Sequence, residues 1–165
     1  MAYLLDANVL IDAKNRHYGF DFCPAFWDWI VQSHSAGQVC SIERVGVEIQ
    51  AGRDDLSTWA SGLPAGFFMQ PDQSVFPALA AASAWANGGN YQQSAVHTFM
   101  QSADYYLVAQ AIAGSHVVVT HEIPAATPKK IKIPDACIGL RVRFMTPFQM
   151  LRVLGARFVL GNPRS

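Results

Sequence analysis

The sequence predicts an α/β domain with a parallel central sheet and helices on both faces. Three observations predict it. Short apolar strands alternate with helical segments along the whole chain. The run HVVVT (116–120) is continuous and β-branched, as expected of a parallel strand buried on both faces. No internal repeat, low-complexity tract or long linker interrupts the 165 residues, so residues 1–165 read as one domain with one substantial core.

The elements follow in order. AYLLD (2–6) reads as a buried strand that ends at an acid, and NVLIDAKN then reads as a helix with Val9, Leu10 and Ala13 toward the core. His17 to Asp21 form a glycine-containing loop. Pro24 suits a first helical turn, and Phe26, Trp27, Ile30 and Val31 recur at helical spacing until Gly37. QVCS is a short strand. Ser41 is placed to cap a helix running to about Ala51, with Gly52 just past its end. Asp54 and Asp55 precede a short helical segment containing Trp59. GFFMQ (66–70) is ambiguous, with a strand as one reading. The alanine-rich stretch 74–86 reads as a helix ended by Asn87-Gly88-Gly89, and Val96, Phe99 and Met100 mark a short helical piece. Ala103 to Ala113 form a helix with Leu107, Val108 and Ala111 on one face and Gly114 as its stop. After HVVVT, RFMT (143–146) is a last short strand, followed by the helix PFQMLRVL.

Composition narrows the class. Apolar residues make up 51% of the chain and charged residues 15%, which excludes a disordered protein. With no apolar run of about 18 residues and no basic N-terminus leading into a cleavable apolar stretch, neither a membrane span nor a signal peptide is expected. The cytoplasm is the expected compartment. Cys23, Cys40 and Cys137 form no CxxC pair, and the five histidines show no HxxxH or HExxH spacing, which argues against zinc. The net charge is zero but unevenly spread. Residues 1–128 carry eleven acids against four Lys/Arg, while residues 129–165 carry eight Lys/Arg against Asp135 alone. That asymmetry suits either an anionic partner or a solvated basic face.

The placement of the few acids carries the functional reading. Asp6 ends the first strand, where an unpaired buried charge costs several kcal/mol unless a metal, a basic partner or a helix N-terminus compensates it. Glu48 lies within the helix 42–51, Asp104 in the first turn of the helix 103–113, and Glu122 two residues past HVVVT. Each has an ordinary alternative: a strand-end cap, a helix-surface acid, a helix N-terminal charge and a solvated loop acid. Parallel sheets bind ligands outside the carboxyl ends of their strands, and two of these acids point to that rim. Four converging carboxylates repel one another, and a hard cation such as Mg²⁺ or Mn²⁺ removes the conflict. The chemistry that needs such a site is attack on a phosphodiester. One metal generates the nucleophile from water, and a second, roughly 3.5–4 Å away, steadies the leaving oxygen.

Taken in order, LLDANVLID, VGVEIQAG, SADYYLVAQA and VVVTHE resemble the four motifs of the PIN-domain ribonucleases, the fold of VapC-type toxins. The resemblance spans about 145 residues. It implies an α/β/α fold, metal-binding carboxylates at Asp6, Glu48, Asp104 and Glu122, and polar supports at Asn8 and Thr120. It also implies an RNA substrate, a Mg²⁺ or Mn²⁺ cofactor, a DNA-binding antitoxin as partner and a homodimer. The chain departs from the pattern at the last acid, which is usually Asp and here is Glu122. The stretch HEIPAATPKKIKIPDACIGL is longer than usual and makes Asp135 a rival fourth acid; with MTPFQMLR it is similar to a poorly characterised bacterial PIN-like branch. A catalytically degraded binding module of the same fold is the alternative. Haloacid-dehalogenase-like phosphohydrolases also open with an apolar strand and Asp, but they carry a second acid where this chain has Asn8.

Lys129, Lys130 and Lys132 follow Glu122 closely and suit phosphate contacts, which give affinity and register without base specificity, or simply a soluble loop. Trp27, Trp29, Trp59 and Trp85 sit at helical spacing that suits core positions, with base stacking as the other use of such rings.

Overall fold

The computed structural model describes residues 1–161. Arg164, part of the basic segment, and the end of the predicted domain lie outside the described residues. Five short strands form one parallel sheet: β1 (Tyr3–Leu5), β2 (Val39–Ile42), β3 (Phe68–Met69), β4 (Val117–Val119) and β5 (Phe144–Met145). Their order is β3-β2-β1-β4-β5. The helices are α1 (Ala7–Asp12), α2 (Pro24–Ser35), α3 (Glu43–Gln50), α4 (Asp55–Ser61), α5 (Val75–Gly88), α6 (Gln93–Gln101), α7 (Ala103–Gly114), α8 (Ile133–Leu140) and α9 (Pro147–Val153).

The fold is the α/β/α arrangement that the alternation of elements predicts. From β1 the chain steps outward through β2 to β3, then returns across the sheet to β4 and continues to β5 on the far side. Connections between parallel strands are almost always right-handed, so crossovers running in these two directions place helices on both faces of a sheet. α3 packs against α1 and α4, while α5, α7 and α8 pack against one another. The middle of the sheet is dry: Leu4, Leu5, Val118 and Val119 are fully buried. Trp27 is buried among Phe20, Phe26 and Trp59, with ring centroids 4.1, 5.1 and 4.8 Å away. Trp29, Trp59 and Trp85 are partly buried against the same core. Among the described residues no helix is long and apolar enough to cross a membrane.

Four local features differ from the sequence expectation. Ser41 does not cap α3: its hydroxyl donates to the Leu5 carbonyl at 2.6 Å, tying β2 to β1, and Ile42 occupies the cap position without a side-chain bond. The helix read over 8–15 changes at Ala13 to a π-helical turn, Ala13–His17, which takes in His17, read as the start of a loop, and is closed by Tyr18 N donating to the Ala13 carbonyl. The third strand holds only Phe68–Met69, with Phe67 fully buried beside it and its carbonyl accepting from Ser41 N of β2 at 2.8 Å. Residues Ile133–Leu140, for which the local pattern announces nothing, form α8.

One glycine sets a contact near the site. A Cβ on Gly46 would lie 2.7 Å from the Phe68 ring, so α3 lies directly on β3 only because residue 46 has no side chain.

Candidate functional site

β1 and β4 are neighbours whose following connections leave in opposite directions, which makes the crevice at their carboxyl ends the switch point of the sheet. Asp6 comes directly after β1. Its backbone N–H donates to the Val119 carbonyl at 3.0 Å, so the ladder to β4 extends one residue and delivers the side chain into the crevice. The Asp6 side chain makes no capping bond to α1. Instead, Thr120, which follows β4, donates from Oγ1 to Asp6 Oδ2 at 3.0 Å. The same Thr120 oxygen accepts from Glu122 N at 3.1 Å. Thr120 thus fixes both the strand-end acid and the turn that carries the next one; it is 1% exposed and Asp6 4% exposed.

Asp104 enters the crevice from the first turn of α7, and Glu48 faces it from α3, where it is exposed. Burial raises the Asp6 carboxyl to about 7, with Asp104 adding next; the Thr120 hydrogen bond opposes the rise, and Glu122 and Glu48 add smaller pushes. Burial likewise raises Asp104 to about 6; Glu122 and Glu48 add to the rise and Lys130 opposes it. The structure therefore brings the four predicted acids into one electrostatic cluster. Among the described residues no base forms an ion pair with any of them.

The remaining predicted residues separate into distinct positions. Asn8 is exposed in the first turn of α1 and makes no hydrogen bond to Asp6 among the described residues. Asp135 faces away from the cluster: its carboxylate accepts from Ala125 N and Ala126 N, and it adds nothing to the rise of Asp6 or Asp104. Glu122 Oε2 accepts from Ile133 N at 2.9 Å, the first helical residue of α8, leaving Oε1 uncommitted. Lys129 and Lys130 line a groove of about 280 Å³ together with Asp104, Ser94 and Thr98. Lys132 stands at the N-cap of α8, half-buried, and does not line that groove. A second groove, about 420 Å³, opens on the other flank between Glu43, Arg44, Glu48 and Gln101.

The donor set is all carboxylate, which suits a hard cation that prefers oxygen ligands. Among the described residues no group of three or more His, Cys, Asp and Glu side chains forms a ready-made metal cage. The acids still fit a cation that keeps much of its water and takes one or two carboxylates directly, as Mg²⁺ does. Burial chiefly, and repulsion among the acids second, raise the Asp6 and Asp104 carboxyls, and such a cation offsets both.

Sequence reasoning missed a ring cluster on the rim. His121, next to Glu122, lies 5.4 Å from His17 and 5.6 Å from Phe148 between ring centroids. Burial lowers the His121 pKa, and Asp12 opposes that shift. These rings come from the π-helical turn, the end of β4 and α9, so no sequence spacing links them.

Comparison with curated proteins and with solved structures gave no match. A family profile, however, covers residues 3–158, from β1 past α9 and across all four acids. By that match, the chain belongs to the DUF4411 family, a domain of unknown function.

Proposed function

We propose that this chain is a Mg²⁺- or Mn²⁺-dependent endoribonuclease of the PIN-domain kind, acting in the cytoplasm as the toxin of a bacterial toxin–antitoxin module. The observation that carries the reading is the placing of Asp6 and Asp104, two buried acids from separate segments, at the switch point of a parallel sheet, where burial first and then the neighbouring charges of Glu122 and Glu48 raise their proton affinity. Bare acids so arranged are unfavourable at neutral pH, and a divalent cation offsets that.

Asp6, Asp104 and Glu122 are the residues that would hold the metal, with Glu48 on the exposed side positioned to bind it or to orient water. A bound Mg²⁺ or Mn²⁺ supplies an acidic water as nucleophile and charge neutralisation at the phosphodiester. Thr120 holds Asp6 in one orientation through its hydroxyl and keeps the Glu122 turn in place. Lys129 and Lys130 draw the polyanion into the groove beside Asp104, and Asn8 stands exposed at the rim where it can order water. A DNA-binding antitoxin and a second copy of the chain are the protein partners this reading carries.

The purified protein with Mn²⁺ should cleave RNA, and Asp6→Asn should abolish the cleavage; equal activity in the variant and the parent overturns the assignment. One observation favours a second reading, a binding module whose site no longer catalyses. Glu122 spends one oxygen on the α8 N-terminus, and no three-acid cage is formed among the described residues. Calorimetric titration separates the two. Clear Mn²⁺ binding that Asp104→Asn removes supports the nuclease, and no binding above background supports the module.

A further inference from the structure

We infer that the groove beside Asp104 leads to a nucleobase-stacking site formed by Tyr91 and Trp85, on which single-stranded RNA lays one base as its backbone leaves the acids. The inference deepens the ribonuclease reading and rests on it for the identity of the strand.

Two grooves lie along the same pair of chain segments. The first runs from Asp104 past Lys129 and Lys130, with Ser94 and Thr98 opposite. The second, about 480 Å³, is lined by Trp85, Asn90, Tyr91, Thr127 and Pro128. Residues 126–131 wall both grooves on one side, and residues 90–98 wall both on the other. Gln92 N donates to the Pro128 carbonyl at 2.9 Å and ties the two walls together between the grooves. Pro128 of the second groove is followed directly by Lys129 of the first, so the aromatic end is the next groove along this wall from the lysines. The second groove has a volume within the roughly 300–1,000 Å³ that small-ligand sites occupy.

The aromatic end is built to present rings. Trp85 and Tyr91 meet edge to face, with centroids 5.6 Å apart and planes at 60°. The indole is held against α8, where a Cβ on Gly139 would meet its Nε1, and Phe99 meets it edge to face with centroids 6.4 Å apart. Tyr91 is half-buried, and among the described residues its hydroxyl has no hydrogen-bond partner. Lys129 and Lys130 line the first groove with Asp104 and suit phosphate, whereas the second groove is lined by no Lys or Arg among the described residues and suits an uncharged base. Burial raises the Tyr91 hydroxyl, with a further push from Asp135, so the ring stays neutral. Stacking on aromatic rings tolerates every base, so this site adds affinity without reading sequence.

The test uses the full chain carrying Asp104→Asn, which stops cleavage under the ribonuclease reading. Fluorescence anisotropy is measured with a labelled single-stranded 12-mer RNA and with a ribose-phosphate oligomer of the same length that lacks bases. Tyr91→Leu should weaken binding of the RNA about 5- to 150-fold, the range found when one stacking ring is removed. It should leave the base-free oligomer unchanged, and Tyr91→Phe should retain the parent affinity. Trp85→Leu should act in the same sense, and Tyr91→Leu keeps the test sound if that variant folds poorly. Unchanged RNA affinity in Tyr91→Leu, equal losses for both oligomers, or no binding of RNA by the parent would each overturn the stacking site. If the native chain cleaves RNA but Tyr91 proves irrelevant, the stacking site fails and the nuclease stands. If base-dependent binding holds but the native chain never cleaves, the nuclease fails and the stacking site stands.

Discussion

Removing the charge of Asp6 should stabilise the metal-free protein at neutral pH, and the carboxyl itself sets the size of the effect. Asp6 titrates near 7 in the folded chain against 3.8 as its ordinary value, with burial as the main cause and Asp104 next. Between those two pH values the native state holds a proton that the unfolded state has released, so stability falls as pH rises through the window. The favourable contribution is complete below 3.8 and gone above 7. At about 1.4 kcal/mol for each pH unit, that rise corresponds to a loss on the order of 4 kcal/mol. Asp104 shares the same repulsion, so its own rise does not add in full. Asp6→Asn keeps an oxygen for Thr120 and offers an amide N–H to the neighbouring carboxylates. A net gain of about 2 kcal/mol at pH 8 should raise Tm by about 4–8 °C for a chain of this size. Urea melts followed by tryptophan fluorescence in EDTA, at pH 5, 6, 7 and 8, measure it. Three groups could confuse the profile. Asp54, held below the usual carboxylate range by Lys14, stays ionised throughout. His116 and His121, lowered by burial, add stability with rising pH, the opposite sign, but do so in both proteins. The difference between parent and variant therefore reports Asp6 together with its coupling to Asp104. Mn²⁺ at about 100 times its Kd should restore about 2.7 kcal/mol to the parent at pH 8 and far less at pH 5, where the site is protonated. Parallel pH profiles for parent and variant would refute the reasoning.

Other perturbations probe the surroundings of the site. Gly46→Ala places a methyl against the Phe68 ring and should cost about 1–3 kcal/mol in denaturant unfolding; an unchanged midpoint would mean that α3 is not held against β3 there. Lys130→Ala should weaken RNA binding across all sequences and reduce the slope of log affinity against log salt by about 1, and an unaltered slope would remove Lys130 from the RNA path. Glu122→Asp shortens the reach to Ile133 N and should cost about 0.5–2 kcal/mol in thermal melts, whereas Glu122→Gln keeps an acceptor oxygen and should melt near the parent. Equal losses in the two variants would separate Glu122 from the support of α8.

What the sequence made legible was whatever a local pattern can encode. HVVVT announced β4 because a strand buried on both faces must be continuously apolar, and SADYYLVAQA announced α7 with Asp104 in its first turn. AYLLD announced a strand that ends at an acid, and Asp6 does follow β1 directly. The features that stayed hidden depend on partners far along the chain. Ser41 has the right residue type and place for a helix cap, but Leu5, in another strand, offers its hydroxyl a better buried acceptor. α8 carries Pro134 and Gly139, weak helix signals, and its first N–H groups include one satisfied by Glu122 from eleven residues upstream. The rings of His17, His121 and Phe148 meet only because β4 ends between the π-helical turn and α9.

The longer fourth acid then has a structural reason. Residues 120–135 must return from the end of β4 to the start of α8 while leaving the crevice open, and two acids hold that path. Asp135 ties down the outer loop through Ala125 N and Ala126 N, and Glu122 ties the inner end through Ile133 N. With one methylene more than Asp, Glu122 reaches the helix with Oε2 while its charge still acts on Asp6 and Asp104. Under the proposed PIN-domain reading, Glu in place of the usual Asp lets one side chain both support α8 and act on the other acids. Asp135, read from sequence as a rival for the site, uses both its oxygens on the loop that makes the extension possible.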